Sequence, residues 1–279
     1  MSTPGGASAK PKRFWADLST VEFAAMDLAR ALAVMPVAAT EQHGPHLPLD
    51  VDTQLVDGVV QAALPNLPPS LPVLFLPTQA VGLSPEHTGF AGTLSLKAGT
   101  VIQLWTEIAE GVARAGVRKL VLLNSHGGQV GVLDIVGRDL RARLGMLVYS
   151  VNWFNLPLGE AVDGLFSAAE HRFGIHAGDM ETSMMLALAP HKVDMARARN
   201  FASASQRRAE KFPILGNGRS ARLAWQTQDY NPAGAVGNAA AATADKGRAV
   251  LQAAGQALAQ LLAEVDALPP DTLVAAQLT

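Results

Sequence analysis

Residues 31–52 read ALAVMPVAATEQHGPHLPLDVD: an apolar run, then Glu41, His43, His46, Asp50 and Asp52 crowded directly behind it. The run ALAVMPVA (31–38) is short and apolar throughout, the pattern of a strand covered on both faces. The cluster that follows therefore sits where a strand has just ended. Three further runs have the same character: PVLFLPT (72–78), KLVLLNS (119–125) and MLVYSVNW (146–153).

Between these runs the spacing changes from strand-like to helical. Residues 53–63 and 98–115 carry apolar positions every three or four residues, and in the second these are Val101, Leu104, Ile108 and Val112. Residues 129–144 repeat the pattern with Val132, Ile135, Leu140 and Leu144. Strands alternating with helices predict an α/β protein with a mostly parallel central sheet and helices over both faces. The region 155–238 is broken by Pro, Gly and Asn and predicts long loops around one helix at ETSMMLALAP (181–190). Residues 240–267 predict an Ala-rich helix packing through Leu251, Ala254, Leu258, Leu261 and Val265. The chain reads as a single domain over 14–268, with a flexible N-terminal tail at 1–13 and a C-terminal tail at 269–279.

Composition narrows the chemistry. Apolar residues are 49% of the 279 and charged residues 16%, as in an ordinary soluble globular protein. Net charge is −2 with Lys and Arg scattered, so neither nucleic acid nor an anionic membrane is an expected partner. There is no cysteine, which excludes disulfides, a thiolate nucleophile and thiolate metal sites. The opening MSTPGGASAKPKR lacks the apolar core of a signal peptide, and no segment has the ~20 apolar residues of a membrane span. The expected location is the cytoplasm.

Ligand crevices of open α/β sheets lie beyond the carboxyl ends of the strands, and four polar clusters fall there. In the first, alternation places Glu41 and His43 on one side of an extended segment, and Asp52 returns after a Pro-containing loop. Imidazole and carboxylate together suit Zn²⁺, Mn²⁺ or Fe²⁺, and one carboxylate can bridge two ions. Read alone, the stretch fits a polar surface loop equally well. GLSPEHTGFAGT (82–93) offers Ser84, Glu86 and His87, or an ordinary solvated loop. NSHGGQ (124–129) offers His126, with Gly127 and Gly128 opening the next helix where backbone N–H groups face a ligand; a phosphate-binding turn is the competing reading. After the fourth run comes Trp153, either a pocket wall or a core side chain. GIHAGDMETS (174–183) then adds His176 and Glu181, or else an acidic helix N-terminus. His46, His171 and His191 have no evident partner.

Taken in order, Glu41-Gln42-His43-Gly44 with Asp52, Ser84-x-Glu86-His87 leading to Phe90-Ala91-Gly92-Thr93, Asn124-x-His126-Gly127-Gly128, and His176-Ala177-Gly178-x-x-Glu181-Thr182-Ser183 resemble the creatininase (creatinine amidohydrolase) family. The resemblance spans about residues 14–265. It implies a three-layer α/β/α fold and a binuclear metal centre at the strand ends, loaded with Zn²⁺ and/or Mn²⁺, Fe²⁺ being compatible. It implies Glu41, Asp52 and His126 as ligands of one ion, and His43, bridging Asp52 and Glu181 as ligands of the other. By the same resemblance His176 is the proton donor to the leaving nitrogen, with Glu181 either a ligand or an acid/base group. Ser84, Glu86, His87, Gly127, Gly128 and Trp153 are then the substrate-binding positions, and assembly is a homo-oligomer, such as a hexamer.

Two departures bear on substrate. Creatinine-hydrolysing members carry His-Tyr-Glu at the strand end where this chain has His126-Gly127-Gly128, and Trp-Asp-x-Glu where it has Arg172-Phe173-Gly174-Ile175. The second argues against creatinine itself; the first removes the Glu that is a metal ligand in those members, so that Glu181 is left to complete the second site, and the Gly-Gly form looks more like the wider family. The expected activity is hydrolysis of a small cyclic or formyl amide. The alternative within enzymes is a metallopeptidase trimming a short cofactor-precursor peptide, which an open groove would favour over a pocket closed by residues 82–93 and 155–175. Outside enzymes, a non-catalytic α/β ligand-binding domain leaves Glu41, His43 and Asp52 without a task.

Overall fold

The structure, a computed structural model, describes residues 11–274. Of the expected tails, 1–10 and 275–279 lie outside these residues; within them, Arg13 donates to the carbonyl oxygens of Pro68 and Leu71, and Pro270–Thr272 forms a short 3-10 helix. Among the described residues the central sheet has four parallel strands, β1 (Leu32–Val37), β2 (Val73–Phe75), β3 (Lys119–Asn124) and β4 (Leu147–Asn152), in the order β2-β1-β3-β4. A pair of two-residue strands, β5 (Asn200–Phe201) and β6 (Gly237–Asn238), runs antiparallel outside it and was not foreseen in the loop-rich region.

Alternation along β1 and β3 divides the core in two. Leu32, Val34, Val121 and Leu123 face the helices Val51–Ala63, Asp179–Leu188 and Ala244–Ala267. Ala33, Met35, Val37, Leu120 and Leu122 face the helices Ala98–Arg114 and Val130–Leu144. This is the three-layer α/β/α arrangement. The layer around Ala244–Ala267 is close-packed: a Cβ on Gly247 would stand 1.9 Å from the carbonyl oxygen of Ser183, so only glycine lets the two helices approach.

Two helix faces differ from the expected stripes. In Ala98–Arg114 the buried positions are Val101, Trp105, Ala109, Val112 and Ala113, while Leu104 faces outward. In Val130–Leu144 they are Val132, Leu133, Val136 and Leu140, and Ile135 is 52% exposed. Spacings of three and four fit two adjacent stripes, and burial of Trp105 selects one of them. β2 is also shorter than PVLFLPT suggests. On that side of β1, Leu32 N–H donates to Pro72 O and Ala38 N–H to Gln79 O, but Pro36 between them has no N–H to give. The ladder breaks there.

The chain leaves β1 for β2 on one side and reaches β3 on the other. The carboxyl ends of β1 and β3 therefore flank the switch point of the sheet, where a crevice is expected. Among the described residues no helix is long and apolar enough to cross a membrane.

Candidate metal centre

Glu41 and His43 lie just beyond β1, on a segment fixed by Glu41 N–H donating to Leu49 O (3.0 Å) and Leu94 N–H to Thr40 O (2.8 Å). Asp52 enters from the first turn of Val51–Ala63, His126 from the end of β3, and Glu181 from the first turn of Asp179–Leu188. Glu41, His43, Asp52 and His126 are each at most 4% exposed, and His176 is 7% exposed.

These side chains form two groups that share Asp52, Glu41–Asp52–His126 and His43–Asp52–Glu181, with the ligand atoms of each group within 4.8 Å of one another. A third group, Glu41–His43–His176, meets the same limit. His126 Nδ1 is 3.2 Å from Glu41 Oε1 and 3.7 Å from Asp52 Oδ2; His43 Nε2 is 3.8 Å from Asp52 Oδ1 and 3.9 Å from Glu181 Oε2. Donors ~2.1 Å from one tetrahedral ion stand about 3.4 Å apart, so the spacing suits a small dication. The ring orientations agree. His43 Nδ1 lies against Glu41 O (3.1 Å) and His126 Nε2 against Leu83 O (3.0 Å), which places each proton on the outer nitrogen and turns the other lone pair inward.

Hydrogen bonding supplies the test of fit. Glu41 Oε1 and Oε2, His43 Nε2 and Asp52 Oδ2 are buried with no hydrogen-bond partner. Such a set of inward-facing lone pairs is costly unless a cation joins it. Burial, with Glu41 alongside, raises the Asp52 carboxyl well above its ordinary value. Burial opposes charge on His126, yet Glu41, Glu86 and Asp52 outweigh it and push that imidazole well up. Burial, reinforced by His176, holds His43 well below its ordinary value and hence in the neutral, ligating form. Protons on Asp52 and His126 thus supply positive charge that a dication would replace. The residues fit a metal centre of carboxylate and imidazole ligands.

The centre opens into a cavity of about 370 Å³, lined by Glu41, Asp52, His126, Gly127, Trp153, His176 and Glu181 together with residues of 154–180. Trp153 is buried and donates from Nε1 to Ser125 Oγ (3.0 Å). Ser84, Glu86, His87 and Gly128 are not among the lining residues; they lie behind the ligands. Ser84 Oγ is 3.4 Å from His126 Nε2, and His87 Nε2 is 3.2 Å from Glu41 Oε1. Asp50 pairs with Lys192 at the surface (2.6 Å).

Two supporting residues escaped sequence reasoning. Gln42 donates to Gly234 O (2.9 Å) and meets His87 Nδ1 (2.7 Å), while its backbone oxygen lies 2.7 Å from His176 Nε2. Glu170, buried, accepts from the N–H groups of Asp179 (2.6 Å) and Asn238 (2.8 Å) and so ties the His176–Glu181 segment to β6. Gln42 was visible only as the residue between two ligands, and nothing local marks Glu170. Ala177, next to His176, adopts φ 53°, a region non-glycine residues seldom enter, and its N–H donates to Glu181.

His46 gives a test of the metal-free fold. It contacts Thr182 Oγ1 (2.9 Å) and stacks on Phe201, and burial, then His176, lower its value from 6.5 to about 4. The folded protein refuses a proton that the unfolded chain accepts, so this stability is full above pH ~6.5 and drains as pH falls toward ~4. In urea titrations of the metal-free protein across that window, His46→Asn is expected to flatten the pH slope by up to one proton. An unchanged slope would assign it to other groups.

Carboxylate and imidazole groups that could hold a cation, gathered at the switch point of a parallel three-layer sheet, give the chain the site expected of a metal-dependent α/β protein. Comparison carries this further: the family model described as creatinine amidohydrolase matches residues 16–262, and the chain belongs to the creatininase family. It is 34% identical over 225 residues to a mycofactocin precursor peptide peptidase of Mycobacterium ulcerans, covering 78% of each chain. Among solved structures it resembles a creatininase of Zn–Zn type (TM-score 0.73, 26% identity, 91% of this chain and 98% of that one). It also resembles a creatininase described as Mn (TM-score 0.72, 26% identity, the same coverage).

Proposed function

We propose that the protein is a binuclear-metal amidohydrolase that cleaves an amide bond of a short peptide. The observation that carries the metal chemistry is the pair of ligand groups sharing Asp52, with their lone pairs buried and unpartnered. Two divalent ions there, Zn²⁺ or Mn²⁺, would supply a water acidic enough to attack at neutral pH and a Lewis acid for the amide carbonyl. The chain's own part is to orient and to move protons. His176 Nε2 is held against Gln42 O, which leaves Nδ1 as the acceptor beside the cavity, positioned to take a proton and return it to the leaving nitrogen.

The peptide reading is supported by the peptidase relative and by room beyond the cavity. Ile175 borders both the cavity and a groove of about 430 Å³ whose walls include Arg172, Arg208, Arg222, Trp225 and Tyr230. A single small amide has no use for that groove; the residues flanking a peptide bond do. The second reading, a small cyclic or formyl amide, is supported by the limited volume of the cavity itself and by the creatininase neighbours. Carboxylates of Glu41, Asp52 and Glu181 in one cavity, without a lining Lys or Arg, argue against a phosphate turn at Gly127. The family resemblance also supports a homo-oligomer, which light scattering would test.

The deciding experiment incubates Zn²⁺- or Mn²⁺-loaded protein with short peptides, lactams, cyclic ureides and formamides, and follows products by mass spectrometry. Release of an amino acid or shortened peptide is expected. Turnover confined to lactams or formamides would favour the second reading, and less than one bound metal per chain would sink the hydrolase assignment.

A further inference from the structure

Gly128 is glycine for reasons of space. A Cβ at this position would lie 1.7 Å from Glu86 Oε1 and 2.5 Å from His126 Nε2. The volume above its Cα is thus taken by the carboxylate of Glu86, which reaches across from the short helix Pro85–His87. Glu86 is 8% exposed, and its Oε1 is buried with no hydrogen-bond partner. That oxygen is 3.2 Å from His126 Nε2 and 4.0 Å from His87 Nε2. It faces the back of the ring whose Nδ1 points at Glu41 and Asp52.

A buried carboxylate without compensation is expensive, so this one needs positive charge nearby. The ring between it and the Glu41–Asp52–His126 group supplies the route. A ligating imidazole with a carboxylate at its outer nitrogen is held in orientation and made a better donor. Leu83 O fixes the proton on Nε2 at 3.0 Å; Glu86 adds the charge that a carbonyl lacks.

We propose that Glu86 is a positioning residue of the His126 metal site: its carboxylate, seated in the space Gly128 leaves, steadies the imidazole and strengthens its hold on a dication. This rests on the reading of Glu41, Asp52 and His126 as ligands. It also moves Glu86 from the substrate to the metal.

The test titrates metal-free wild type, Glu86→Gln and Glu86→Asp with Zn²⁺ by calorimetry, and records visible spectra of the Co²⁺-loaded proteins. Gln keeps the size of the side chain and removes its charge. Asp keeps the charge with a shorter reach, and serves where Gln does not fold. In wild type two binding events are expected. In Glu86→Gln one of them weakens at least about 10-fold, within the 10–100-fold range of outer partners, while the other holds. The Co²⁺ bands of the weakened site shift, and Glu86→Asp recovers part of the lost affinity. Unchanged affinities and spectra would overturn the proposal. So would equal weakening of both sites together with a lower melting temperature of the metal-free protein, the mark of a packing role. Wild type that takes up no metal would instead overturn the metal centre itself.

Discussion

Asp52→Asn is expected to empty both metal positions together and to bring hydrolysis below detection. The two oxygens of this one carboxylate address different rings: Oδ2 is 3.7 Å from His126 Nδ1, and Oδ1 is 3.8 Å from His43 Nε2. Asparagine retains the volume but offers one oxygen, and it turns an N–H group toward a lone pair. Loss of metal affinity should exceed the ~10–100-fold typical of a residue outside the ligand shell. The fold should survive. Burial raises the Asp52 carboxyl, and such a group contributes less stability as pH rises, so removing its charge leaves the metal-free protein at least as stable at neutral pH. Metal content by mass spectrometry and melting of the metal-free variant check both statements. Retention of one full equivalent would mean that an ion sits in the Glu41–His43–His176 group, the one that lacks Asp52.

What the chain discloses before folding follows from how local each signal is. Glu41, His43, Asp52 and His126 stand next to apolar runs, so strand alternation and the crevice rule place them without tertiary knowledge. The converse holds for Gln42 and Glu170, whose partners lie far along the chain: Gly234 for the first, Asp179 and Asn238 for the second. The role of Glu86 was also hidden. Its neighbour His126 comes from a different strand end, and the sequence shows Gly128 only as a flexible residue and not as the floor beneath a carboxylate. Periodicity failed in a characteristic way. Leu104 and Ile135 fit helical spacing, yet sit one stripe away from the buried face that Trp105 and Leu133 define.

His176→Ala is expected to separate binding from turnover, keeping both metals while lowering kcat on the order of 10²- to 10⁴-fold, the range for a lost general acid–base group. The geometry distinguishes His176 from the ligands around it. Its Nε2 lies 2.7 Å from Gln42 O, and its Nδ1 is 3.9 Å from Glu41 Oε1, farther than the 3.2 Å that separates His126 Nδ1 from the same oxygen. It also lines the cavity, whereas His43 does not. An amide nitrogen leaves poorly as an anion, so a proton must reach it as the C–N bond breaks, and Nδ1, the acceptor beside the cavity, can take one up and deliver it there. Ala177 at φ 53° and the Glu181 contact to its N–H hold the ring in place, so the alanine variant should lose the proton carrier without releasing the helix behind it. The measurements are metal content and kcat on the substrate that the panel identifies. Undiminished turnover would remove His176 from the chemistry, and loss of one metal would make it a ligand in the Glu41–His43–His176 group.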